Sequence, residues 1–168
     1  MSRAWIGLGG NLDEPAARLR RTLPRLDQLP GTRVIRHSSL YGSRPVGPAD
    51  QPDFINAVAE LETDLTPLAL LDELQGLENK AGRVRTRHWG ERTLDLDILL
   101  FDDRAMDEPR LRVPHPELEH RGFVLVPLAE IAPALRLPDG RRVDALRAAC
   151  DDTGVWYHGP AETEGESH

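Results

Sequence analysis

The stretch that decides the fold is Thr93-Leu94-Asp95-Leu96-Asp97-Ile98-Leu99-Leu100-Phe101, the strongest strand pattern in the chain. Side chains two apart in a strand share a face, so Asp95 and Asp97 are predicted to point the same way, about 6–7 Å apart. The alternation places four residues on the opposite face: Leu94, Leu96, Ile98 and Leu100. Leu99 and Phe101 then make the aspartate face apolar. The pattern predicts a strand covered on both faces, with a polar cleft over its first half.

Two carboxylates on one face near a core repel each other and resist desolvation unless a cation lies between them. Mg²⁺ prefers hard oxygen ligands, and it usually takes one or two carboxylates together with water and phosphate oxygens. Asp95 and Asp97 are therefore candidate metal ligands. The alternative is a solvated sheet face whose acids pair with arginines, which is the commoner outcome for an isolated Asp-x-Asp.

A basic segment runs directly into this strand. Residues 83–92 hold four arginines and His88 without hydrophobic periodicity, which predicts a mobile loop. Arginine forks match phosphate oxygens, and Trp89 offers a flat face to a ring. A second basic set follows the strand: Arg110, Arg112, His115 and Arg121. Acids between two arginine sets suit phosphoryl transfer, although a solvated loop and a structural turn histidine remain the alternatives.

The rest of the chain predicts an α+β sandwich. Strands are predicted over 3–8 (ended by Gly9-Gly10), 32–41 and 54–63, with a short edge strand over 110–113. Helices are predicted from a cap at Asp13 to Pro30-Gly31, from a cap at Thr66 to Lys80, and over 123–131 and 143–150. Residues 42–52 are predicted as a loop. The order strand, helix, two strands, helix, strand is that of a ferredoxin-like core.

Composition limits the function classes. The chain has 168 residues and a net charge of −7, so nothing attracts it globally to nucleic acid or anionic membrane. It has one cysteine, no apolar stretch that would serve as a signal peptide or span, and no P-loop motif. We therefore expect a cytoplasmic protein with one domain over 1–158 and a disordered acidic tail over 159–168.

Several separate motifs now support a resemblance. The most specific is Trp89-Gly90-Glu91-Arg92-Thr93-Leu94-Asp95-Leu96-Asp97-Ile98-Leu99-Leu100, and supporting stretches are Gly10-Asn11-Leu12, Gly47-Pro48 to Asn56, Gly82-Arg83-Val84-Arg85, Val113-Pro114-His115 and Arg121-Gly122-Phe123. From Ile6 to about Gly140 the chain resembles the 6-hydroxymethyl-7,8-dihydropterin pyrophosphokinases of folate biosynthesis. The resemblance implies a three-layer α/β/α fold on a ferredoxin-like core. It also implies that the pterin hydroxyl attacks the β-phosphorus of ATP, which gives the pterin diphosphate and AMP.

The resemblance further implies the site. Two Mg²⁺ would lie on the catalytic residues Asp95 and Asp97, with Arg83 and Arg92 neutralising phosphates. The implied ATP-binding residues are Gln75, Glu78, Arg85, Trp89, Ile98, Arg110, Arg112, His115 and Arg121. The implied pterin-binding residues are Ser43, Arg44, Val46, Phe54, Asn56 and Phe123, with Asn56 reading the ring edge between the two aromatic rings. The substrates would be the only partners of a monomer, with neither nucleic acid nor membrane.

The chain departs from the family pattern at a few positions. The basic loop is one residue shorter than in the best-known members, and the substituted positions are Arg44, Thr86, His88, Arg112 and Pro116. These departures bear on loop closure and nucleotide contacts rather than on the reaction. The general base stays open between Asp97 and activation of the hydroxyl by metal alone.

Two other classes remain as alternatives. One is a non-catalytic ferredoxin-like module that binds nucleotide or single-stranded RNA through the arginines. An acidic chain without paired aromatics on a basic sheet argues against it. The other is a two-metal nuclease, which would require more acidic ligands than one Asp-x-Asp supplies.

Overall fold

An antiparallel sheet organises the computed structural model, which describes residues 1–45, 50–82 and 93–162. Its strands are β1 (Ser2–Gly10), β2 (Thr32–His37), β3 (Leu40–Ser43), β4 (Phe54–Thr63), β5 (Asp95–Phe101) and β8 (Val155–Gly159). Their order is β5-β1-β4-β3-β8, and β2 pairs with β4 beside β3. A separate two-stranded ribbon joins β6 (Met106–Asp107) to β7 (Arg112–Val113). β1 and β4 therefore occupy the centre, as the ferredoxin-like core requires.

Helices cover both faces of the sheet. They are α1 (Pro15–Asp27), α2 (Pro67–Lys80), α3 (Gly122–Ile131) and α4 (Val143–Ala149), with a short 3₁₀ turn over Leu118–His120. One core lies under α1 and α2 and includes Ile6, Leu19 and Leu74. A second core lies under α3 and α4 and includes Val58 and Leu125. The predicted three-layer α/β/α architecture is confirmed.

The first helix starts differently from its prediction. Asp13 was expected to cap α1, but the residue before the helix is Glu14, and neither side chain caps the free N–H groups. Both residues have a left-handed backbone, with φ of 56° and 57°, whereas a capping residue is normally extended. The second helix begins as predicted, because the Thr66 hydroxyl accepts a hydrogen bond from the Ala69 N–H at 3.2 Å.

The strand predicted over 32–41 is two strands. His37 pairs with Ala59 and Tyr41 pairs with Asn56, so one extra residue must be accommodated between the two registers. Ser38 does this: its hydroxyl accepts from the Val58 N–H at 2.9 Å, while its own N–H donates to the Val58 carbonyl at 2.8 Å. The side chain thereby replaces a backbone partner where the ladder breaks.

A bulge in β5 after Ile98 changes which side of the sheet the following side chains occupy. Trp5 pairs with Leu100 but Ile6 pairs with Ile98, so one extra residue of β5 lies between these pairs. Leu100 consequently belongs to the α3–α4 core and Phe101 to the α1–α2 core. The faces predicted for these two residues were wrong, because a bulge reverses the alternation.

The other predicted ends also shift. β1 continues through the glycines expected to stop it, and residues 159–162, which the sequence assigned to the tail, are among the described residues. Gly159 ends β8, a strand that the sequence did not predict, and Ala161 is buried. Within the described residues no helix has the length and hydropathy needed to cross a membrane.

Candidate active site

The two aspartates lie at the open end of the sheet, opposite glycines of β1. Asp97 pairs with Gly7, and Asp95 pairs with Gly9. Gly9 has no side chain, so the floor beside Asp95 is backbone. The space above Gly7 is occupied by Leu99, because a Cβ on Gly7 would lie 3.3 Å from Leu99 Cδ2. The same face farther along the strands is filled by Trp5, which packs under α3. The cleft therefore begins where the helix cover ends.

Asp95, Gly9 and Asn56 are paired across three neighbouring strands, and this row connects a metal-ligand candidate to the amide predicted to bind the pterin. Gly9 pairs with Asp95 on one side and with Asn56 of β4 on the other. Adjacent strands lie about 4.8 Å apart, so the Asp95 and Asn56 backbones are about 10 Å apart across this glycine. A Cβ on Gly9 would lie 3.2 Å from Asn56 Oδ1, so a larger residue would crowd the amide. The row places an acid and a buried amide on either side of an open floor.

Asn56 is held in place from β3. Its side chain is buried, and its Nδ2 donates to the buried Ser43 hydroxyl at 2.8 Å. This bond fixes the orientation of the amide, and Phe54 shares its face two residues earlier. Phe123 lies at the start of α3, with the Arg121 guanidinium 5.4 Å from its ring centroid. The structure thus brings together Ser43, Phe54 and Asn56, and their role toward a pterin stays a prediction.

A histidine faces the second aspartate. His115 Nε2 lies 4.0 Å from Asp97 Oδ1, and the Glu117 N–H donates to His115 Nδ1 at 3.1 Å. Since Nδ1 accepts, the neutral ring carries its proton on Nε2, on the aspartate side. Burial lowers the pKa of His115 below its usual value; Asp97 opposes this shift and Arg121 adds to it. The imidazole is therefore a neutral donor near the carboxylate at pH 7.

The Glu78 carboxylate supports the strand that carries both aspartates. β5 is the outermost strand of the sheet, so part of its backbone has no neighbouring strand. The buried Glu78 carboxylate accepts from the Leu96 N–H at 2.8 Å. Leu96 lies between the two aspartates, so this contact from α2 fixes the backbone that carries both. Sequence reasoning assigned Glu78 to the nucleotide side and missed this contact, which no local pattern signals.

Three other residues predicted to bind the nucleotide lie in different surroundings. Arg110 donates to Gln75 Oε1 at 3.3 Å and pairs with Asp72, so it lies against α2. Arg112 is exposed and pairs with Asp107 at 3.3 Å. Ile98 is buried in the α1–α2 core, so its side chain does not share the aspartate face. Its place in a nucleotide site stays a prediction.

Some predicted residues lie outside the described residues: Val46, Arg83, Arg85, Trp89 and Arg92. The predicted mobile loop over 83–92 lies there as well. Arg44 is described and exposed, and its N–H donates to the Gly154 carbonyl at 3.3 Å. It extends the β3–β8 pairing beside the Ser43 position.

A second polar pair near the cleft was not foreseen. Asn11 follows β1, and its Nδ2 donates both to Gln51 Oε1 and to the Pro52 carbonyl at 2.9 Å. Asn11 and Gln51 are both buried. The pair ties the end of β1 to the chain that leads into Phe54. An asparagine directly after Gly9 and Gly10 is the sequence signal that could have indicated it.

The donor set of the aspartate pair fits a hard divalent cation. Within the described residues no group of three or more His, Cys, Asp or Glu side chains could enclose a metal. Two carboxylates on a half-open strand instead suit Mg²⁺, whose other ligands are normally water and phosphate. The Asp97 side chain is 51% exposed, which leaves room for those ligands.

We predict that Glu78→Ala lowers the free energy of unfolding by about 1–3 kcal/mol, because it leaves the buried Leu96 N–H without this partner. It should also lower the turnover rate, since the strand between the aspartates loses its support. Urea unfolding and initial rates measure the two effects. Glu73→Ala on the same helix is the matched control, and equal behaviour of the two variants would contradict the assigned role.

The fold and this site define a class: a small α+β protein whose acidic cleft beside a buried amide suits phosphoryl transfer to a flat polar ring. Residues 5–133 match the model of the 7,8-dihydro-6-hydroxymethylpterin-pyrophosphokinase family, and the chain belongs to this family. The expected family is thereby confirmed, and with it pyrophosphoryl transfer to hydroxymethyl-dihydropterin in folate biosynthesis.

Relatives agree along nearly the whole chain. The chain is 53% identical to the 2-amino-4-hydroxy-6-hydroxymethyldihydropteridine pyrophosphokinase of Pseudomonas aeruginosa, over 92% of this chain and 96% of the relative. It is 51% identical to the Haemophilus influenzae enzyme of the same name, over 87% and 91%. Among solved structures, Plasmodium falciparum HPPK-DHPS with pteroate matches with a TM-score of 0.69 at 16% identity. That match covers 88% of this chain and 43% of the longer one, and it supports the fold.

Proposed function

We propose that this chain is a Mg²⁺-dependent enzyme that holds ATP and the pterin on the two sides of Gly9. The observation that carries the proposal is the row Asp95–Gly9–Asn56. Enzymes of this family use ATP as co-substrate, and the row gives the metal-bound polyphosphate and the pterin adjacent places on one bare floor. The chain through at least Ala161, which is buried in the α1–α2 core, would act as one catalytic domain, as a monomer in the cytoplasm.

Asn56 would orient the pterin. One Nδ2 hydrogen is donated to Ser43, which leaves Oδ1 to accept from an N–H on the edge of the ring and the second Nδ2 hydrogen to donate to it. Phe54 and Phe123 would stack on the ring faces, since offset aromatic pairs are favourable. This orientation would direct the hydroxymethyl group toward the aspartates.

Asp95 and Asp97 would hold two Mg²⁺, which when bound supply charge neutralisation on the phosphates and acidify the attacking hydroxyl. Asp97 is the candidate to accept the hydroxyl proton. His115 would donate a hydrogen bond from Nε2–H to a phosphate oxygen without adding charge, because its ring is neutral. Arg121 would neutralise the leaving AMP side, together with Arg83 and Arg92.

Metal binding tests this assignment. We expect Mn²⁺ titration followed by electron paramagnetic resonance, with a non-hydrolysable ATP analogue present, to show two bound ions in the wild-type chain. Asp95→Asn and Asp97→Asn should each weaken this binding by about 10–100-fold, because each removes a charged ligand. Asp103→Asn, an exposed aspartate just beyond β5, is the control. Unchanged Mn²⁺ binding in both site variants would overturn the proposal.

A further inference from the structure

A basic groove lies between α1 and α2, on the sheet face opposite the aspartates. Its cavity volume is about 220 Å³. Cations and apolar side chains line it together: Arg18, Arg21, Thr22 and Arg25 of α1, Leu77, Lys80 and Ala81 around the end of α2, and Leu94 before β5. Leu77 and Leu94 are buried members of the α1–α2 core. The groove therefore has an apolar floor and a rim of four positive charges, in a chain whose net charge is −7.

The four cations lack acidic partners. Across residues 1–45, 50–82 and 93–162, none of Arg18, Arg21, Arg25 and Lys80 forms an ion pair. Three of the four acids on the two helices are engaged elsewhere, and the fourth, Glu73, forms no ion pair within the described residues. Asp27 accepts from the Val34 N–H, Asp72 pairs with Arg110, and Glu78 accepts from the Leu96 N–H. The groove therefore keeps its positive charge uncompensated.

The positions on α1 make this charge costly for the helix. Arg18, Arg21 and Arg25 are spaced by three and four residues, so they lie on one face, where like charges repel. Arg25 and Lys80 lie in the last turns of their helices, where a cation interacts favourably with the helix dipole. Arg18 is the fourth residue of α1, near the positive end of the dipole, and Arg21 follows one turn later. Helix stability alone does not account for these two.

Arg18 also has a donor left over. Its Nη1 donates to the Ala81 carbonyl at 3.4 Å, which is long, and its Nε is buried without a hydrogen-bond partner. A buried guanidinium N–H without a partner is destabilising unless a ligand completes it. The neighbouring carbonyl orients the guanidinium at the mouth of the groove.

We propose that this groove binds the diphosphate group of a small anion, either free diphosphate or an organic diphosphate. Arginine forks bind phosphate oxygens in pairs, and several cations compensate a multiply charged group. The cavity is smaller than the usual pocket for a whole drug-sized ligand, so it suits the charged group with little else enclosed. The site goes beyond the proposed function, because it lies across the sheet from the pterin and metal positions.

Amide chemical shifts of the full-length chain test the proposal. The probes are inorganic diphosphate and ADP, each titrated without divalent cations and followed by ¹H–¹⁵N correlation spectra. We expect the Thr22, Leu77 and Leu94 amides to shift and saturate with at least one probe. Tighter binding of diphosphate would identify the free anion as the better ligand, and tighter binding of ADP would identify the organic one.

Substitutions distinguish binding in the groove from nonspecific attraction to positive charge. Arg21→Gln/Arg25→Gln removes two exposed charges, and we expect it to weaken binding about tenfold or more. Arg18→Gln tests the buried donor. Arg33→Gln/Arg147→Gln removes the same charge from surfaces away from the groove and should leave the dissociation constant unchanged. Non-saturating shifts, or equal weakening in the two double variants, would overturn the proposal.

Discussion

Asp97→Asn is expected to lower kcat on the order of 10²–10³-fold or more, the scale for losing one preorganised electrostatic contact in a transition state. The carboxylate is 51% exposed and lies 4.0 Å from His115 Nε2, so it can serve both metal and phosphate chemistry. The substitution keeps the shape but removes the charge. Steady-state rates with saturating ATP and pterin provide the measurement.

The fold should survive this change. The Asp97 side chain is half exposed, and the β1–β5 pairing uses its backbone, so the unfolding midpoint should stay close to that of the wild type. Asp103→Asn is the matched control for charge. A variant that keeps the wild-type kcat would remove this aspartate from the mechanism, whatever its effect on stability.

Asn56→Ala is expected to raise the KM for the pterin about 100-fold or more and to leave the KM for ATP nearly unchanged. A site built to hydrogen-bond a ring discriminates strongly through that bond, because its loss leaves buried polar groups unpaired. In this variant the buried Ser43 hydroxyl also loses its donor. Initial rates at varied pterin and fixed ATP, then the reverse, separate the two constants.

Asn79→Ala is the control for Asn56→Ala, because Asn79 is an exposed residue near the end of α2. It should leave both constants close to the wild-type values. An Asn56→Ala variant in which both KM values rise together would indicate a general loss of structure. Equal pterin KM values in wild type and Asn56→Ala would contradict the role assigned to the amide.

Much of the fold follows from local patterns. The alternation over 54–63 predicts β4, and the Thr66-Pro67 start predicts α2, because capping and periodicity act over a few residues. The order of elements then restricts the topology to the ferredoxin-like arrangement. What the patterns missed depends on contacts between distant segments. The break at Ser38 requires β4, and β8 exists because β3 offers it an edge.

The candidate site shows the same division. The spacing of Asp95 and Asp97 predicts their shared face, since two residues of a strand suffice for it. The glycine that separates Asp95 from Asn56 depends on the registers of three strands, which no segment determines alone. Glu78 is similar, because its partner is a backbone N–H on another element. The resemblance supplied residue identities, and the structure supplied this geometry.

Product analysis is the most direct test of the account. The chain is incubated with ATP, Mg²⁺ and 6-hydroxymethyl-7,8-dihydropterin, and the products are resolved by chromatography and ³¹P nuclear magnetic resonance. Attack of the pterin hydroxyl on the β-phosphorus predicts AMP and pterin diphosphate in equal amounts. ADP with a pterin monophosphate, or nucleotide turnover that is independent of the pterin, would contradict it.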